Sequence, residues 1–107
     1  MRQAKVYYIK QFAGILKETE TGYSFQYDSD YLASKNAEPI SLTLPLQEKS
    51  FEQRTMFSFF DGLIPEGWLL DVATDSWKID PKDRMGLLLA CCKDCIGAVS
   101  IIAEGTK

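Results

Sequence analysis

The chain has 107 residues, 46% of them hydrophobic and 25% charged, enough apolar material for one core and too little length for two domains. A net charge of −3 argues against direct binding to nucleic acid, whose readers carry a basic patch. The sequence contains no histidine, which removes the commonest general base, the commonest metal ligand and every Ser-His or Cys-His pairing.

The longest apolar run, residues 85–92, is interrupted by Gly86 and falls far short of the roughly 18 residues a membrane span needs. The opening MRQAKVYY has no continuous apolar region with a small-residue cleavage site, so a cytoplasmic protein is expected.

In chain order, residues 5–12 (KVYYIKQF) are rich in β-branched and aromatic types and predict one strand, broken by Gly14. Residues 15–18 and 23–27 predict two short strands around Thr21-Gly22, a hairpin. In the second, Tyr23, Phe25 and Tyr27 alternate with Ser24 and Gln26, the period of a half-buried strand. Residues 28–34 predict a turn or a single helical turn. Another alternating run, residues 40–46, puts Ile40, Leu42, Leu44 and Leu46 on one face, with Pro45 confining that end to a sheet edge.

After Ser50 the period changes. Met56, Phe57, Phe59, Phe60, Leu63 and Ile64 recur with helical spacing and predict an amphipathic helix. Pro65-Glu66-Gly67 interrupts it, and a second helix is expected over residues 66–78. A third should start at Asp80-Pro81-Lys82-Asp83, with Asp80 as N-cap and Pro81 in the first turn, and run to about residue 92. Residues 97–103 predict a closing strand, followed by a polar tail. The expected fold class is α+β: a small antiparallel sheet from the N-terminal half, about three helices from the C-terminal half, and a last strand.

Cys91, Cys92 and Cys95 could be read as a redox pair or as zinc ligands. A structural zinc needs four ligands and the chain offers no fourth cysteine and no histidine, and the pair falls where a helix ends rather than begins. Small buried residues and free thiols in a reducing compartment is the favoured reading. No metal and no cofactor are expected.

Two segments point to a family. Phe59-Phe60-Asp61-Gly62-Leu63-Ile64-Pro65-Glu66-Gly67 resembles the FF-x-x-LLPEG segment of HipA-type kinases. Some twenty residues on, Met85-Gly86-Leu87-Leu88 and then Lys93-Asp94-Cys95-Ile96-Gly97-Ala98-Val99 resemble that family's x-x-LL…G-x-D-x-x-GAV ending. The resemblance spans about residues 6–102 and covers the first N-terminal subdomain of a much larger serine/threonine kinase. One departure is conservative, Leu63-Ile64-Pro65 standing for Leu-Leu-Pro. The chain carries no GxGxxG or GxxxxGK[ST] loop, no HRD-like loop and no DFG-like metal site, so phosphoryl transfer is not expected of it. It starts at Met1 and stops where the rest of the kinase would begin, as a complete open reading frame would.

The family includes tripartite toxin-antitoxin systems, HipBST, in which this subdomain is a separate small protein. The resemblance implies an antitoxin that neutralises a shortened, HipT-like kinase toxin and assembles with a HipB-like helix-turn-helix DNA-binding protein, with no direct nucleic-acid or membrane binding. The alternatives are a regulatory or structural N-terminal fragment of a HipA-like kinase, and an enzyme built on Glu66, Asp71 and Asp75. Those three recur at i, i+4 and i+5 and read more simply as a solvated helix face.

The partner-binding candidates are Pro65, Glu66, Gly67, Trp68, Asp71 and Asp75. At about 100° per residue, Leu69, Leu70, Val72, Ala73 and Trp77 cluster on one side of the expected helix and Asp71, Thr74 and Asp75 on the other. Trp68 falls between Asp75 and Val72, off the apolar centre, and is expected to be at least half exposed. Trp77 is expected in the core.

Overall fold

The computed structural model describes residues 2–64, 82–91 and 99–103. Within them the order is β1 (Gln3–Tyr8), β2 (Gln11–Thr19), β3 (Gly22–Tyr27), α1 (Ser29–Ala33), β4 (Phe51–Gln53), α2 (Ser58–Asp61), α3 (Arg84–Cys91) and β5 (Val99–Ala103). The strands form a five-stranded antiparallel sheet ordered β4-β3-β2-β1-β5, an α+β arrangement as the sequence predicts.

The first expected strand is in fact two. A turn at Ile9-Lys10 ends β1 at Tyr8 and starts β2 at Gln11, and β2 then runs straight through Gly14. Gly14 joins strands rather than breaking one. A Cβ there would lie 2.3 Å from the Gln26 carbonyl oxygen, so only glycine lets β3 approach this closely. The register slips by one residue beside it: Val6 faces Gly14 while Tyr7 faces Phe12, leaving Ala13 as the extra residue of a β-bulge.

The pleat sends Ala4, Val6, Leu16, Phe25, Tyr27, Val99 and Ile101 to one face, all buried, where they meet Phe57, Phe60, Ile64, Met85, Leu87 and Leu88. Phe25 is the hub: its ring lies 5.0 Å from Tyr27 and 5.5 Å from Phe60. Burial of each such aromatic stabilises by roughly 1.5–3 kcal/mol relative to exposure.

The expected strand over residues 40–46 is a loop, holding only an isolated bridge between Ser41 and Leu44. Ile40 and Leu44 are buried, but Leu42 is 98% exposed. Two tyrosines set this shape. The Tyr27 hydroxyl accepts the Ile40 N–H at 3.0 Å and donates to the Leu44 carbonyl, so two backbone groups that a ladder would have used are satisfied by one side chain. Tyr31, stacked on Tyr27 at 5.9 Å, donates to the Glu38 carbonyl at 2.6 Å and accepts the Glu38 N–H at 3.2 Å.

Helix α1 follows its cap signal, Asp28 accepting the N–H groups of Asp30 and Tyr31. Helix α2 is shorter than the periodicity predicts, four residues, because after the last α-type bond, Gly62 to Ser58, Leu63 and Ile64 close it with tighter i→i−3 bonds to Phe60 and Asp61. Helix α3 begins at Arg84. Asp83 performs the capping role that the sequence assigned to Asp80, accepting the Gly86 N–H at 3.1 Å. Asp80, Pro81, the expected helix over residues 66–78, Cys92 and Cys95 lie outside the described residues.

Candidate functional site

The six partner-binding candidates, Pro65, Glu66, Gly67, Trp68, Asp71 and Asp75, lie outside the described residues, as does Trp77. The structure does show how the chain is held on either side of them. Just before them, Phe60 and Ile64 are buried under the sheet. Just after, Met85, Leu87 and Leu88 are buried in the same cluster. Between the two flanks the Arg84 guanidinium meets the Asp61 carboxylate at 2.6 Å. The described flanks on either side of residues 65–81 are thus both buried in the core and tied to each other by an ion pair.

A second ionic node steadies α3. Arg2 binds Glu18 at 2.8 Å and Asp83 at 2.7 Å, joining the start of β1, the end of β2 and the cap of α3. The hydrogen bonds from Arg2 hold both carboxyls below their ordinary range and lift the guanidinium further above its own. Burial pushes the Tyr27 hydroxyl up, so it stays protonated as the donor its loop bond requires.

The far face of the sheet was not singled out from the sequence. By register, Ile102, Lys5, Ile15 and Gln26 form one row across it, and Ser100, Tyr7 and Phe12 the next. The Tyr7 and Phe12 rings lie 5.8 Å apart. Ile102 is 38% exposed, and Tyr7, Phe12 and Ile15 are half-buried. Lys17 and the turn residue Lys10 are exposed at the margins. Among the described residues, Lys5, Lys10 and Lys17 have no ion pair, and the rows above include no carboxylate.

The β1–β2 turn at one end of this face is unusual. Ile9 and Lys10 both take positive φ, 49° and 65°, the pair of values that a two-residue type I′ hairpin demands and that Asn-Gly meets most easily. A β-branched residue there is strained by about 1–2 kcal/mol. Ile9 is also 66% exposed, so burial offsets little of it.

Chemically, the described residues offer no group of histidine, cysteine, aspartate or glutamate side chains that could hold a metal. An open hollow of about 640 Å³ is lined by Ile15, Lys17, Ser24, Gln26, Glu48 and Ser50, with Gln26 donating to the Glu48 carbonyl at 3.0 Å. Among the hydroxyls lining it, Ser50 donates to the Glu52 carboxylate at 3.4 Å, a long bond at the exposed surface between residues two apart in the chain.

Residues 4–102 match the family model of the HipA N-terminal domain. The chain belongs to the HipA N-terminal domain family. It is 35% identical over 104 residues to an uncharacterized protein of Haemophilus influenzae, a match covering 97% of this chain and 94% of that relative. The described fold is similar to a solved structure of the N-terminal domain of HipA toxin, with a TM-score of 0.78 and 31% identity, covering 100% of this chain and 96% of that one. The HipA N-terminal domain is the family that the sequence motifs indicated. No helix among the described residues is long and apolar enough to cross a membrane.

Proposed function

We propose that this HipA N-terminal domain protein is a HipS-like antitoxin, which binds and neutralises a HipT-like serine/threonine kinase and joins it in a complex with a HipB-like DNA-binding protein. It does no catalysis of its own. The observation that carries this reading is the extent of the Haemophilus relative, of which 94% aligns with this chain, so that relative consists of little besides this domain. A domain that exists in a relative without the kinase behind it must act on some other chain. The alternative, a regulatory or structural part of a longer HipA-like kinase, keeps the same domain and loses the separate partner.

The segment after Ile64 is the proposed contact, with Trp68 as its centre. A central aromatic anchor is worth on the order of 2–4 kcal/mol, or roughly thirty- to a thousand-fold in affinity. Trp68→Ala should leave the melting temperature nearly unchanged and weaken kinase binding and protection of growth. Trp77→Ala should lower the melting temperature. The test is co-expression with the HipA-like kinase of the same genome, scoring growth and co-purification. Failure of the unaltered chain to co-purify with the kinase or to restore growth would sink the antitoxin reading. A Trp68→Ala chain that still protects fully would sink the anchor.

A further inference from the structure

We propose that the β1–β2 hairpin is a second docking element, seating the outer sheet face and the exposed Ile9 on an apolar, carboxylate-rimmed surface of the partner kinase. The inference rests on the antitoxin reading and extends it to a part of the molecule that the family motifs do not touch.

Two independent observations lead there. The first is the turn. Ile9-Lys10 holds a conformation that Asn-Gly would adopt with less strain, and Ile9 gains little burial in return. Strain kept in an exposed apolar residue points from structure to function. The second is charge. The chain carries −3 overall, yet its outer sheet face gathers Tyr7, Phe12, Ile15 and Ile102 around Lys5, with Lys10 and Lys17 at the margins. A surface that receives this one must be apolar at the centre and acidic around it, since a lysine left against an uncharged, desolvated surface would lose its hydration without a partner.

The same charges exclude the simplest other occupant. A second copy related by a twofold axis at the centre of this face would set Lys5 toward Lys5, and the carboxylate its register rows hold, Glu52, lies beyond Ser24 at the β4 edge of the Lys17 row. Nucleic acid would answer the lysines but not the apolar centre they surround.

The experiment measures calorimetric affinity of the full chain for the purified, catalytically inactivated HipA-like kinase of the same genome, at low and moderate salt. Two variants are compared with the unaltered chain: Ile9→Asn with Lys10→Gly, and Lys5→Glu with Lys17→Glu. The turn variant should melt several degrees higher yet bind at least about tenfold more weakly, a combination that mere loss of folding cannot produce. The lysine variant, checked for intact folding by circular dichroism, should also bind at least about tenfold more weakly, with its loss greatest at low salt. If the unaltered chain binds and both variants bind equally well, the hairpin proposal alone is overturned. If the unaltered chain does not bind the kinase, the antitoxin reading falls and the hairpin proposal with it. A turn variant that melts lower removes the strain argument. Self-association, or a DNA mobility shift, that the lysine variant abolishes assigns the face to another occupant and equally overturns the proposal.

Discussion

The β1–β2 and β2–β3 connections span the same two-residue gap with different residues and different backbone angles. Both join neighbouring antiparallel strands through two residues, Ile9-Lys10 in the first and Glu20-Thr21 in the second. In the second, the awkward backbone angle falls on Gly22, at φ 157°, where the absence of a Cβ also lets the chain pass against the Gln53 carbonyl. In the first it falls on an isoleucine and a lysine, both exposed. The contrast separates a turn whose residues serve the fold from one whose residues are kept at the fold's expense.

The largest effect should come from giving Gly22 a side chain. A Cβ would lie 2.1 Å from the Gln53 oxygen and 2.5 Å from the Arg54 Cα, backbone atoms that cannot step aside cheaply. Gly22→Ala should therefore cost about 3 kcal/mol in urea unfolding. A cost near zero would erase the distinction between the two turns.

Next comes the far end of the second hairpin. Tyr27→Phe removes the hydroxyl that serves both Ile40 N–H and the Leu44 carbonyl, leaving two inward groups unpaired. The expected loss is about 2 kcal/mol. Hydrogen exchange at Ile40 should speed up while the β1–β2 amides hold, confining the damage to the second hairpin's side.

The smallest effect belongs to the base of the first hairpin. Glu18 and Asp83 have lowered pKa values through Arg2, so their contribution is present above the ordinary carboxylate range and is lost as pH falls through it toward their folded values. Arg2 is 43% exposed, and after solvent screening the pair of bridges contributes below about 1 kcal/mol. Stability of the unaltered chain should decline between about pH 5 and pH 3, and Arg2→Ala should flatten that slope. Parallel slopes would remove the ionic node from the account.

Much of the fold was legible because local signals and tertiary demands agree. Asp28 caps α1 as its type prefers, β3 alternates as a half-buried strand must, and residues 99–103 pair as the closing strand. The misreadings share a cause. Ile9-Lys10 carries no turn residue, so residues 5–12 look like one strand. Residues 40–46 alternate without belonging to a sheet, because the Tyr27 hydroxyl from β3 binds the backbone of Ile40 and Leu44. Strand β4, Phe51–Gln53, is three residues long and mostly polar, too short for a periodic signal. The segment around Trp68 lies outside the described residues. The outer face was not legible, since its apolar residues interleave with the core set in strands that read as continuously hydrophobic.

The position of β5 has a consequence for how the protein comes into being. Val6 pairs with Ile101, the first described strand with the last, and the core face between them includes Val99 and Ile101. During synthesis β1, β2 and β3 leave the ribosome with β1 still an open edge, and the strand that covers it emerges after the other four. Contacts this distant in sequence slow folding, because their loop must close before they contribute. Until residues 99–103 have been made, β1 keeps an unpaired edge and the core face lacks Val99 and Ile101, so the sheet closes only after every other described strand is in place.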